Sequence, residues 1–207
     1  MQPDRRSRPE YVEAVCKIVS RIEHSLENVP PHLLPIRMYI AGGTALHLYT
    51  GVRVSKDIDA VFSRRIALPE DLEVGYRDAD GKMRLIYFDR QYNDTFALMH
   101  GDNHDDSVPL SLPGIEPQVL EVRLLSPLDL AVSKVSRFAE HDREDIALLA
   151  REGLIKSKDF RRRAEEAMSG YVGDLTRLRG SIELAVRIVE DAERASISRG
   201  RIEPPAI

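Results

Sequence analysis

Ile36-Arg37-Met38-Tyr39-Ile40-Ala41-Gly42-Gly43-Thr44 and, fourteen residues beyond Gly43, Asp57-Ile58-Asp59-Ala60-Val61-Phe62 are the two stretches whose joint reading decides the fold. The first is a short apolar run broken by two glycines, and the residues from Thr44 to Tyr49 continue as a helix. The second alternates charged and apolar side chains before turning apolar, which predicts a strand with one polar face. Residues i and i+2 of a strand point to the same side, so Asp57 and Asp59 project together while Ile58 points away. Two adjacent carboxylates repel unless a cation shares them. Mg²⁺ suits such a pair, since it takes oxygen ligands from a few carboxylates and completes its shell with water and phosphate. Gly42 and Gly43 let the backbone approach a phosphate closely. The free N–H groups of the helix behind them, with the Thr44 hydroxyl, face the same way.

Working outward, Val12, Val15, Ile18, Val19 and Ile22 recur at helical spacing, and Pro30-Pro31 ends that helix. Residues 72–76 and 84–88 flank Asp80-Gly81 and predict a hairpin. Residues 119–124 read as a further strand, which offers Glu121 as a third carboxylate if it pairs alongside. Asp89, after the apolar run 85–88, is the alternative third acid. Three carboxylates and a triphosphate can hold two metals roughly 3.5–4 Å apart, stabilising both the attacking and the leaving oxygen.

From Pro127 onward the periodicity becomes helical throughout, over 128–138, 143–151, 158–168 and 175–195, with a frayed tail from Arg199. The expected architecture is therefore α+β. A small mixed β-sheet flanked by helices occupies residues 1–125, and a C-terminal helical bundle occupies 126–207. Lys134 and Arg137 are three apart on the first of these helices and share a face, as a cation pair for a polyphosphate would. Asp142 and Asp145 form a second pair, read either as partners orienting those cations or as a helix cap. Arg53, four residues before Asp57, reads as a triphosphate contact or as a salt-bridge residue.

The order apolar-Gly-Gly, a spacer of about a dozen residues, Asp-x-Asp, then a later apolar-acidic-apolar strand resembles the signature of the DNA polymerase β-type nucleotidyltransferases. Gly43-Thr44-Ala45-Leu46, Arg53, Asp57-Ile58-Asp59 and the segment from Leu128 through Lys134 and Arg137 to Asp142-Arg143-Glu144-Asp145-Ile146 narrow it. They are similar to the minimal nucleotidyltransferases of AbiEii/MenT type, the toxins of type IV toxin–antitoxin systems. The resemblance implies transfer of a nucleotide from a nucleoside triphosphate with Mg²⁺ or Mn²⁺. It further implies an acceptor hydroxyl on an RNA such as tRNA or on a protein, and a protein antitoxin as partner. The metal ligands expected are Asp57, Asp59 and Glu121. Gly42, Gly43, Thr44, Arg53, Lys134, Arg137 and Asp142 are expected at the nucleotide, and Lys134 is counted with the three acids as catalytic. The competing reading keeps the fold but leaves it a catalytically silent module that binds a nucleotide or a partner.

Other features are assigned more plainly. A net charge of −4 argues against a protein that coats DNA, though not against a local basic groove. The first candidate for such a groove is the run from Lys156 to Arg163, with five cations. A single cysteine, Cys16, excludes an intramolecular disulfide framework and suits a reducing cytosol. No apolar run approaches the roughly 20 residues of a bilayer span, so a cytoplasmic protein with no membrane association is expected. His100 and His104 lie in an acidic loop whose spacing fits no zinc pattern. His47 reads as structural.

Overall fold

A computed structural model describes residues 1–95 and 97–200, with the side chains of 197–200 left out of the description. Residues 201–207, most of the expected frayed tail, lie outside it. The chain divides into two compact units, residues 1–93 with 104–126, and residues 94–103 with the segment from Pro127.

The first unit is α+β and holds two small sheets rather than one. Helix α1 (Pro9–His24) starts with proline in its first turn and buries Tyr11, Ala14, Val15, Ile18, Val19 and Ile22 along one face. The four aliphatic side chains among them beyond Ala14 are wholly inaccessible, each contributing about 1.5–3 kcal/mol relative to exposure. Strand β1 (Ile36–Ile40) is followed by α2 (Gly42–Thr50), then by β2 (Asp57–Ile58) and β3 (Ala60–Phe62). The predicted hairpin is β4 (Glu73–Arg77) with β5 (Met83–Phe88), paired antiparallel. Two short pieces, β6 (Val108–Pro109) and β7 (Leu120–Leu124), complete the unit.

One sheet has the order β3-β1-β7-β6 and the other β2-β5-β4. Both are mixed: β1 runs parallel to β7 and antiparallel to β3, and β2 runs parallel to β5. The stretch from Asp57 to Phe62, read from sequence as one strand, thus changes sheets at Asp59. Ile58, Val74, Tyr76, Ile86 and Phe88 of the second sheet are buried, on the side where α1 packs against β4 and β5.

The second unit is helical. It comprises α3 (Pro127–Ser133), α4 (Glu140–Arg151), α5 (Ser157–Ala167) and α6 (Leu175–Gly200). Helix α6 packs on α4 and α5, and α3 on α5, around Leu130, Val132, Ile146, Leu149, Phe160, Ala164 and Val186. A buried pair ties α3 to α5: Arg163 donates to both carboxylate oxygens of Asp129 at 2.7 and 2.9 Å. Helix α3 is shorter than its periodicity suggests. Past Ser133 the bonds tighten to i→i+3, from Lys134 N to Ala131 O and from Val135 N to Val132 O. Phe138 then takes a left-handed conformation, φ 50°, which ends the turn. Among the described residues no helix is long and apolar enough to cross a membrane.

Candidate active site

The turn after β1 explains its two glycines through contact. Gly42 has φ +59°, and a Cβ placed there would lie 1.9 Å from Oδ2 of Asp59. The Asp59 carboxylate therefore occupies the space that any side chain at 42 would take. A Cβ on Gly43 would come 2.8 Å from Ser55 Oγ and 3.8 Å from a guanidinium nitrogen of Arg53. Helix α2 begins at Gly42, two residues earlier than the sequence suggested, with extended Ala41 as its N-cap. The first-turn N–H groups, which lack intrahelical acceptors, thus belong to the glycines themselves.

Asp57 is set from below. Tyr11 donates its phenol to Thr44 Oγ1 (2.7 Å), and Thr44 donates in turn to the Asp57 carbonyl (2.7 Å). Burial pushes the Tyr11 phenol well above its ordinary range, so it stays a neutral donor. Thr44 is fully inaccessible, and its single hydroxyl hydrogen is spent on β2. That corrects the expectation of a phosphate contact by its side chain. The Asp57 carboxylate accepts a hydrogen bond from Ser55 Oγ. Beneath the same loop His47 is buried. Its Nε2 accepts from Arg8 N–H (3.1 Å), so Nδ1 carries the proton toward Arg53 O (3.0 Å). Desolvation lowers its pKa, and the neutral ring holds the segment on which Arg53 sits exposed. Sequence reading missed Ser55, although its place two residues before Asp57 has the right strand parity.

Glu121 is not brought to the two aspartates. Its strand partner is Arg37, whereas Asp59 O accepts from Ala41 N. Arg37 on β1 and Ala41 just past its end are four extended residues apart, about 13 Å at the strand rise. Glu121 is engaged where it stands, accepting from Arg37 Nε (3.0 Å) and from Arg123 Nη1. Burial opposes its ionisation, but the two arginines outweigh it and hold the carboxyl below the usual range.

The acid that does approach is Asp89. The parallel register Asp57↔Tyr87 and Ile58↔Phe88 continues through the bond from Asp89 N to Ile58 O (3.1 Å). Asp89 thus stands beside the end of β2, where Asp59 follows Ile58 in the chain. The charges of Asp57, then partial burial, then those of Asp89 and Asp59 all raise the pKa of the Tyr87 phenol.

This oxygen donor set fits a hard divalent cation, and the Gly42 cradle keeps the Asp59 oxygen pressed to the turn. Among the described residues no group of three or more His, Cys, Asp or Glu side chains is placed to hold a metal ion. Mg²⁺ held by one or two carboxylates and phosphate oxygens requires none.

In the helical unit the predicted residues form a network. Lys134, 7 % exposed, donates to Asp145 at 2.7 Å and stands 4.0 Å from Asp142. Arg137 donates twice to Asp142, at 2.8 and 2.7 Å. Asp142 also accepts from Ala139 N (3.0 Å) and so caps α4. Burial raises the Asp142 pKa, but Arg137, the Ala139 N–H and Lys134 lower it more. Asp142 thus both pairs with Arg137 and caps α4, while Asp145 pairs with Lys134.

The basic run is largely committed: Arg161 pairs with Glu183, Arg162 with Asp159 and Arg163 with Asp129. It presents no free stripe of five cations. His104 stacks on Tyr39 in the first unit, with ring centroids 4.1 Å apart, while His100 lies 3.5 Å from Glu166 in the second. They share no site.

A glycine turn over paired strand carboxylates, in an α+β unit followed by helices, defines a nucleotidyltransferase-like protein. The family model described as "Nucleotidyltransferase of unknown function (DUF6036)" matches residues 17–169. The chain belongs to that family, and its general function is nucleotidyl transfer. No curated protein and no solved structure matches it.

Proposed function

We propose that the chain moves a nucleoside monophosphate from a nucleoside triphosphate to an acceptor hydroxyl, with Asp57, Asp59 and Asp89 as its carboxylates. The observation that carries this reading is the Asp59 oxygen lodged in the Cβ position of Gly42, at the first turn of α2. The phosphates lie along the backbone of Gly42 and Gly43, with Arg53 beside them. The acceptor oxygen attacks the α-phosphorus, the bond to the β-phosphate bridge breaks, and pyrophosphate leaves. The acceptor proton passes to a carboxylate or to water. Mg²⁺ or Mn²⁺ on the aspartates supplies charge stabilisation to the attacking and leaving oxygens. Positioning and electrostatics provide most of the acceleration, as is usual at such centres.

Lys134 and Arg137, with Asp142 orienting Arg137, form a cation pair suited to a polyphosphate in this proposal. The resemblance to AbiEii/MenT toxins extends it to an RNA acceptor such as tRNA and to neutralisation by a protein antitoxin.

The test is incubation with each labelled triphosphate, Mg²⁺ or Mn²⁺, and total cellular RNA and protein. Label should enter one macromolecular fraction, and Asp59→Asn should lower the rate by about 10²-fold or more, as loss of other preorganised electrostatic groups does. Transfer at the wild-type rate by the Asp57→Asn/Asp59→Asn protein refutes the assignment. Metal-dependent triphosphate binding without any product supports the silent binding module instead.

A further inference from the structure

Strand β5 has two faces of different character. Ile86 and Phe88 are buried, whereas Met83, Leu85 and Tyr87 are 64, 50 and 37 % exposed. Three large apolar side chains in a row on the open side of a sheet need a reason, since such stripes otherwise invite association. The register supplies one. Tyr87 is the direct partner of Asp57 on β2 and of Glu73 on β4, and directly paired residues project to the same face. The stripe is therefore the continuation, on one surface, of the carboxylate site. Leu85 lies about 7 Å and Met83 about 13 Å beyond Tyr87 at the strand rise.

The β4 residue opposite Leu85 is Gly75. A Cβ there would find only ordinary contacts, 3.8 Å to Met83 Cε and 3.9 Å to Arg84 O. Packing does not demand the glycine, and its effect is to leave the surface beside Leu85 flat.

We propose that this surface seats the nucleoside moiety of a substrate, with its base lying on Tyr87 and Leu85 over the gap at Gly75. The proposal rests on the transfer reading above, because the acids fix where the reacting phosphate sits. A flat aromatic ring with a polar edge is what an exposed phenol and a neighbouring aliphatic side chain accept. The glycine turn holds the phosphates at one end of this surface, so the ring lies toward β4. The ring is that of the triphosphate, because the same surface runs on to the carboxylates and the glycine turn that take its phosphates.

The experiment measures binding to the full-length protein with Mg²⁺. Each nucleoside triphosphate is compared with inorganic tripolyphosphate. A short single-stranded oligoribonucleotide is compared with its abasic counterpart. Tyr87→Ala should weaken the nucleoside triphosphates by roughly tenfold and leave tripolyphosphate unchanged, as expected for one lost stacking contact. A loss confined to the base-containing oligoribonucleotide overturns the assignment to the triphosphate. Gly75→Val, which adds bulk without removing a contact and suits a strand, should reproduce the effect. Unchanged binding in both pairs, or equal weakening of base-containing and base-free ligands, overturns the proposal. A wild-type protein that binds neither nucleoside triphosphates nor tripolyphosphate sinks the transfer reading itself, which is a separate result.

Discussion

Gly42→Ala is the sharpest single perturbation of this site. The added methyl begins 1.9 Å from Asp59 Oδ2, and Cβ contacts below 3.0 Å are essentially never seen. The carboxylate must therefore retreat by about 1 Å, or the turn must open. The residue also sits at φ +59°, where alanine costs about 1–2 kcal/mol. A midpoint shift of about 2–8 °C follows for a chain of this size. The effect on transfer should be larger than the effect on stability, because a 1 Å misplacement at a reacting centre costs about 10²-fold. Thermal unfolding and label transfer, measured on the same preparation, separate the two effects. Gly43→Ala is the comparison: its φ is not left-handed and its Cβ meets the Ser55 hydroxyl, so it should disturb Asp57 with less loss of stability. Gly42→Ala protein that transfers label at the wild-type rate would show that Asp59 need not occupy that position, and the site assignment would fail.

Three other expectations can be checked alongside. Asp89→Asn should depress turnover about as much as Asp59→Asn, whereas Glu121→Gln should release Arg37 and Arg123 and alter stability more than rate; the reverse ranking in initial-rate assays restores Glu121 as the third acid. Lys134→Met leaves Asp145 buried without its cation and should cost about 3–5 kcal/mol in denaturant unfolding, most of it recovered in Lys134→Met/Asp145→Leu; a loss under 1 kcal/mol contradicts the buried pairing. Acid should destabilise the fold in two ranges, because His47 and Asp142 both have folded pKa values depressed below 6.5 and 3.8 respectively. Each contribution is complete above the ordinary value and is lost as pH falls through the lower folded one. Asp142→Asn should therefore flatten the stability profile only in the more acidic range, as pH-dependent calorimetry would show.

Local patterns carried much of this structure. The α1 face, the β4–β5 hairpin and the helical character after Pro127 follow from periodicity and turn residues within a few positions of each other. The Asp57 and Asp59 pair was legible for the same reason, and so was the change from α/β to helix. Asp89 was legible only as an alternative, although the parity of Leu85, Tyr87 and Asp89 against buried Ile86 and Phe88 places it on the open face. Glu121 has the right parity on its own strand. Its distance from the aspartates depends on the register between β1 and β7, and nothing in either strand encodes that locally. Thr44 looked available for the same kind of reason: its partners, Tyr11 and the Asp57 carbonyl, are far away in the chain. The pairing of the basic run with Glu183 and Asp129 is likewise a product of helix packing that no local spacing reveals.

The change of sheets at Asp59 makes transfer a coincidence detector for the fold. The Asp59 carbonyl is hydrogen-bonded to Ala41 in one sheet, while the adjacent Ile58 carbonyl is hydrogen-bonded to Asp89 in the other. Neither sheet alone fixes the separation of the carboxylates. Activity on heating should therefore stop at whichever sheet opens first, ahead of global melting. Amide exchange at Ala41 and at Asp89 would tell which one that is.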